Sequence, residues 1–138
     1  MIDFPDLIGF IEVDHTADIA IAVTGDSMES LFLQSILAMR EIIGVNLNKR
    51  VASENSLSLD AQSAESLLIA LLNEILFFIE KDTWPECEKL TICQNRLSLQ
   101  YHLFRCTTAG AHVKAVTYNQ VEIIRHADMY STMLVFDV

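Results

Sequence analysis

The sequence has few of the residues that build common catalytic and cofactor sites. Its 138 residues include only four glycines, two prolines and three cysteines. No Gly-rich phosphate loop, paired-histidine zinc motif or nucleophile-elbow pattern occurs in the chain. The cysteines (Cys87, Cys93 and Cys106) are odd in number and form no C-x-x-C pair, which argues against a disulfide framework or a zinc site. The chain therefore carries no familiar catalytic or cofactor-binding motif.

Basic residues and long apolar runs are also scarce. Nine Lys and Arg stand against nineteen Asp and Glu, which gives a formal net charge of −10. The basic residues are scattered, so we expect little or no direct RNA binding and instead cations or basic protein surfaces as partners. No run approaches the roughly 18 apolar residues of a membrane span, and the acidic N-terminal segment lacks the basic region of a signal peptide. We therefore expect a cytoplasmic protein that makes no contact with membranes.

Two segments have the apolar spacing of amphipathic helices. The first is predicted to start at Asp26 as the N-cap and to end at Gly44. The second is predicted to start at Asp60 or Ser63 and to be ended by Trp84-Pro85. Their apolar stripes predict a core that contains Leu31, Phe32, Ile36, Leu68, Leu71, Leu72, Ile75 and Leu76.

Most of the remaining chain favours β-strands. Residues 113–118 fit either a strand or a short helical turn, and a hairpin is predicted to turn at Asn95-Arg96. Two long helices against several mostly antiparallel strands predict an α+β fold, a two-layer single domain over residues 1–138. The predicted strands are 10–13, 19–23, 56–60, 89–94, 97–104, 121–124 and 133–136.

The polar segment 14–18 is the first candidate site. Asp14 and Asp18 flank a histidine where the chain leaves a strand, and two such carboxylates suit a hard cation. The alternative is that Asp14 is solvated, Thr16 caps a turn and His15 is a structural histidine. Taken alone, the segment favours the second interpretation, because short polar turns are common.

Two later segments offer further polar groups. The apolar strand 133–136 continues directly into Asp137 and Val138, whose carboxylates could be fixed at one place on a sheet or could be solvated at its end. Lys114 lies in an apolar stretch, where it could face an anionic group on a partner or extend from the core to solvent.

Taken together and in order, these segments resemble the archease family. The resemblance extends over nearly the whole chain, including the expected positions of both helices. It is carried by His15-Thr16-Ala17-Asp18, Leu71-Leu72-Asn73-Glu74-Ile75-Leu76-Phe77, Lys114-Ala115-Val116-Thr117-Tyr118 and Asp137-Val138.

The resemblance implies a non-enzymatic, metal-binding helper of the GTP-dependent RNA ligase of tRNA splicing and RNA repair. That ligase joins 2′,3′-cyclic phosphate or 3′-phosphate ends to 5′-hydroxyl ends, and the helper promotes its guanylylation and multiple turnover. The implied ligands of a divalent metal ion (calcium first, magnesium or manganese as alternatives) are Asp18, Asp137 and Val138. Lys114, His15 and Asp14 are candidates for contact with the partner or a nucleotide.

The chain departs from the family pattern at two places. Asn119 stands where a histidine commonly follows the tyrosine of the late motif, and the loop 107–112 is shorter than usual. Both departures bear on partner docking, whereas neither changes a predicted metal ligand.

A stand-alone metal-dependent hydrolase of phosphate esters is the alternative function. Such an enzyme needs a positively charged or multi-metal cleft and a general base. No Arg or Lys lies near Asp18 or Asp137 in the chain to offset the carboxylates, which favours the helper. The sequence leaves the oligomeric state open.

Overall fold

The computed structural model of the chain describes residues 4–5, 7–13, 18–118 and 121–138. These residues form two helices and eight strands, in an order close to the one predicted. The elements are β1 (Gly9–Val13), β2 (Ile19–Gly25), α1 (Met28–Ile43), β3 (Val45–Asp60), α2 (Ala64–Glu80), β4 (Thr83–Cys93), β5 (Arg96–Thr108), β6 (Ala115–Val116), β7 (Ile124–His126) and β8 (Met129–Asp137).

The strands form two antiparallel sheets. In the larger sheet the order is β1-β2-β8-β6, and β7 also pairs with β8; the smaller sheet has the order β3-β5-β4. The predicted α+β class, with two helices packed on antiparallel strands, is confirmed. The division into two sheets adds to that prediction, because strand periodicity alone does not say which strands are neighbours.

The N-cap of helix α1 lies one residue later than predicted. The N-cap is Ser27, whose side chain accepts a hydrogen bond from the Ser30 backbone N–H at 3.0 Å, so the prediction of Asp26 is wrong. A serine here satisfies one of the unpaired amides of the first helical turn. The helix ends as predicted at Gly44, which has the left-handed φ of 66° that glycine adopts without strain.

Helix α2 starts after the Ser63 cap and ends at Glu80, before the predicted breaker. Asp82, with a φ of 55°, turns the chain there, and Trp84-Pro85 belongs to β4 instead. Pro85 is tolerated because β4 is an edge strand, where a missing backbone N–H interrupts no sheet between neighbours.

The hairpin between β4 and β5 turns one residue earlier than predicted. Gln94 and Asn95 are the two central residues, and both have positive φ, 50° and 63°. Two successive left-handed residues match the twist of the flanking strands, whereas the predicted Asn95-Arg96 turn would break the observed pairing of Cys93 with Arg96.

The hydrophobic core lies where the helices cover the sheets. The predicted core residues on both helices are confirmed, and all are at most 7% exposed. The sheets contribute Trp84, Leu97 and Phe136, which are essentially inaccessible to solvent. Phe136 anchors the end of β8 in this core.

Candidate metal and partner site at the end of β8

Two predicted ligands lie at the ends of neighbouring strands. β2 pairs with β8 in an antiparallel register that sets Ile19 opposite Phe136. Asp18 directly precedes Ile19 and Asp137 directly follows Phe136, so the two aspartates adjoin the last pair of this register. The strand after Asp18 thus lies beside the strand that ends at Phe136, as a cation shared by Asp18 and Asp137 would require.

Strand alternation places the Asp137 side chain on the face of the sheet that lies away from the core. Phe136 packs into the core, and successive side chains of a strand point to opposite faces. Asp18 directly precedes β2, and both aspartates are half-buried. Carboxylates at these two positions could share a cation only if their oxygens lie within about 2.3–2.6 Å of it.

The donors of this site are oxygens, the ligand type that calcium and magnesium prefer. Val138 follows Asp137, is 39% exposed, and would add main-chain oxygen to the two side chains. Among the described residues, no three His, Cys, Asp or Glu side chains converge on one metal position. The predicted set has only two such side chains, so Asp18, Asp137 and Val138 could hold a hard cation only with the main-chain donor.

Strand β6 brings the late motif to the other side of Asp137. Ala115 pairs with Asp137, and the Lys114 backbone N–H donates to the Asp137 carbonyl oxygen at 2.7 Å. The Lys114 side chain is exposed. Asp18, Asp137, Val138 and Lys114, which are far apart in sequence, therefore lie at one end of the larger sheet.

Helix α2 hydrogen-bonds the segment 113–118, which our sequence reasoning did not anticipate. The Asn73 amide bonds both the N–H and the C=O of Val116, at 3.0 and 3.2 Å. Two turns earlier on the same helix, the Ser66 hydroxyl hydrogen-bonds the Tyr118 hydroxyl. A signal was available in the sequence: Asn73 is an uncharged amide in a helix whose other residues from Leu67 to Ile79 are apolar except for Glu74.

The shortened loop 107–112 hydrogen-bonds the C-terminal end of α1. The backbone N–H groups of Ala109, Gly110 and Ala111 donate to the carbonyl oxygens of Gly44, Ile43 and Ile42 at 2.9–3.0 Å. These carbonyls belong to the last turn of a helix and its cap, where intrahelical partners run out. A Cβ on Gly110 would lie 2.3 Å from the Ile42 carbonyl oxygen, so only glycine permits the loop to pack this closely against the end of α1. Lys114 follows this loop in the chain.

Three residues that the sequence singled out lie outside the described residues. Asp14 and His15 belong to the segment 14–17, and Asn119 belongs to the pair 119–120. The proposed contacts of Asp14 and His15 with a partner or a nucleotide therefore stay predictions, as does the effect of Asn119 on partner docking.

The fold and the site define a small α+β domain with carboxylates and a lysine gathered at the end of a central strand. The archease protein family model matches residues 10–138, which is nearly the whole chain. The chain therefore belongs to the archease family, as its motifs predicted.

Named relatives and solved structures agree with this assignment. The protein archease of Methanosarcina barkeri is 30% identical over 137 residues, covering 91% of this chain and 93% of the relative. An archease-like protein of Drosophila melanogaster is 29% identical, covering 91% and 88%. The crystal structure of a Thermotoga maritima archease, described as a possible chaperone, has a TM-score of 0.71, 26% identity and coverage of 91% and 94%.

A solution structure from Methanobacterium thermoautotrophicum shows the same fold, with a TM-score of 0.70, 24% identity and coverage of 94% of this chain and 99% of that one. Membership of the archease family supports an accessory role for this chain. In the described part of the chain, neither helix is long and apolar enough to cross a membrane.

Proposed function

We propose that this chain is a non-enzymatic accessory protein that promotes guanylylation and multiple turnover of the GTP-dependent RNA ligase of tRNA splicing and RNA repair. A divalent metal ion is held by Asp18, Asp137 and Val138, with calcium as the first choice. The observation that supports this proposal best is the pairing of Ile19 with Phe136, because it brings two segments more than a hundred residues apart, each with an aspartate next to the pair, to the same end of the sheet.

The residues around this site suit a site that a partner protein completes better than a site that this chain forms alone. Asp18 and Asp137 bring negative charge, and the nearby Lys114 is one cation, too little for a stand-alone phosphate-binding cleft. When bound, a divalent cation would supply positive charge for an anionic group. Lys114 is exposed and can extend toward such a group on a partner, while Asp137 stays fixed to the sheet through its backbone.

The net charge of the chain supports a protein partner rather than direct RNA binding. A formal charge of −10 opposes association with a polyanion and favours docking on a basic surface. The ligase would then contact the RNA, and the accessory protein would act on guanylylation of the ligase.

A turnover assay with purified ligase tests this proposal. Ligase, GTP, calcium or magnesium, and an RNA with 2′,3′-cyclic phosphate and 5′-hydroxyl ends are incubated with and without this protein. We expect more guanylylated ligase and many joined ends per ligase molecule only in its presence. Equal turnover in both samples would contradict the proposal.

The same assay without ligase separates a helper from an enzyme. We expect the protein alone neither to join RNA nor to hydrolyse GTP or a simple phosphate ester. Sustained hydrolysis of a phosphate ester by the ligase-free protein, lost in Asp137→Asn, would instead favour a stand-alone metal-dependent hydrolase.

A further inference from the structure

Asp137 depends on β6 for the position of its backbone. The pairing between β2 and β8 ends at Ile19 and Phe136. Within the described part of the chain, strand pairing beyond Phe136 continues only on the other side, where Asp137 pairs with Ala115. The bond from the Lys114 N–H to the Asp137 carbonyl oxygen belongs to the same edge. Displacement of β6 would therefore release Asp137.

β6 is too short to hold itself in place. It has two residues, and β8 is its only neighbour among the described strands. In the pairing of Val116 with Phe136, the bond from the Thr117 N–H to the Val135 carbonyl oxygen shows that the Val116 N–H and C=O point away from β8. A strand edge without a neighbouring strand would open more readily if its N–H and C=O had no other partners.

The side chain of Asn73 supplies those partners. Its Oδ1 accepts from the Val116 N–H at 3.0 Å, and its Nδ2 donates to the Val116 carbonyl oxygen at 3.2 Å. Nδ2 also donates to the Ile69 carbonyl oxygen at 3.1 Å, which fixes the amide on α2. Only an amide offers a donor and an acceptor together in this geometry. Asn73 therefore replaces a neighbouring strand on the outer edge of β6.

We infer that Asn73 is a positioning residue for the site at the end of β8. By clamping Val116, it holds β6 against β8 and so fixes Asp137 and Lys114 in their relative positions. This inference rests on the proposed function in so far as that site binds a metal ion.

Amide hydrogen exchange and calcium titration of the intact protein test the inference. In Asn73→Leu, we expect exchange of the Lys114 and Val116 amides to rise at least about tenfold, while central β2 and β8 amides change less than about twofold. Calcium affinity, measured by titration calorimetry, should fall about tenfold, the lower end of the range for residues that orient metal ligands.

Ser66→Ala is the matched control. It removes the hydrogen bond from α2 to Tyr118, which lies in the same segment as β6 but beyond the residues that pair with β8. We expect its Lys114 exchange and calcium affinity to stay within about twofold of wild type. An equal calcium loss in both variants would overturn the specific role of Asn73.

Asn73→Asp keeps the assay usable if Asn73→Leu does not fold. It retains an acceptor for the Val116 N–H but loses the donor for the Val116 carbonyl, so it should also free the Lys114 amide. This variant is read by exchange alone, because its added charge would itself attract calcium.

Three outcomes would overturn or limit the idea in distinct ways. If amide hydrogen exchange in Asn73→Leu rises equally at Lys114 and in the core, Asn73 only stabilises the fold as a whole, and the inference is overturned. Unchanged calcium affinity despite a freed Lys114 amide would overturn it too. If wild-type protein takes up no calcium, the proposed metal site fails, whereas exchange still decides whether Asn73 holds β6 and Asp137.

Discussion

Ile19 lies opposite Phe136 on neighbouring antiparallel strands, and each of these apolar residues adjoins an aspartate at the same end of the sheet, because Asp18 precedes Ile19 and Asp137 follows Phe136. The apolar pair provides the anchor, because both side chains pack into the core. The polar pair is held next to it at little further entropic cost, since the strand ends are already ordered.

Removal of either aspartate should abolish ligase stimulation but leave the stability of the fold intact. In Asp18→Asn and Asp137→Asn, we expect ligase stimulation to be lost while the melting temperature without metal stays the same or rises, because clustered like charges repel when no cation is present. Calcium should raise the melting temperature of wild type and have no such effect on either variant. Thermal unfolding with and without calcium, beside the guanylylation assay, measures both.

Asp26→Asn is the control for these two variants. Asp26 is an exposed carboxylate just beyond the opposite end of β2, so the change in net charge is the same but the site is untouched. Full stimulation by Asp18→Asn and Asp137→Asn would show that these carboxylates are not functional ligands.

Lys114→Ala should lower guanylylation without loosening the complex of the two proteins. The side chain is exposed and the backbone is held to Asp137, so truncation removes a charge but leaves the fold intact. A pull-down reports binding, and label transfer from GTP reports guanylylation. Lys49→Ala, at an exposed lysine of β3, is the control. Unaltered guanylylation would mean that Lys114 only extends from the core to solvent.

Leu72→Ala should destabilise the protein by about 2–5 kcal/mol, because it leaves a cavity in a closely packed core. Leu72 is completely buried on α2. The matched control is Leu37→Ala on α1, where the leucine is 43% exposed and truncation should change the free energy of unfolding by about 0.5 kcal/mol or less. Urea unfolding compares the two, and an equal cost would contradict the helical register.

Alkaline conditions should destabilise the fold partly through Cys106. Burial, and after it the negative charge of Asp82, raises the pKa of this thiol above 9.0, while Arg40 opposes the shift. The unfolded chain then releases the proton at lower pH than the native chain, so stability present below the unfolded pKa is lost as pH rises through the native value.

The free energy of unfolding, measured from about pH 8 to about pH 10, should therefore fall less steeply in Cys106→Ala than in wild type. Cys93→Ala, at an exposed thiol, is the comparison. Identical slopes for wild type and Cys106→Ala would contradict the assigned burial effect.

The amino-acid sequence by itself determined the local elements and the family. Helical periodicity selected the residues that bury, because side chains three and four positions apart must share a helix face. The N-cap of α1, the end of α2 and the hairpin turn were each misplaced by a few residues. At such ends several polar residues compete as caps and turns, and tertiary contacts decide among them.

Only the tertiary structure decided the site. The register of β2 with β8 aligns Ile19 with Phe136 and so brings the segments that carry Asp18 and Asp137 to one end of the sheet, and pairing between distant segments cannot be read from local periodicity. The clamp of Asn73 on Val116 is likewise a contact between residues 43 positions apart. The sequence thus determined which side chains could bind a cation, whereas the sheet, through its long-range hydrogen bonds, determined that the strands next to them are neighbours.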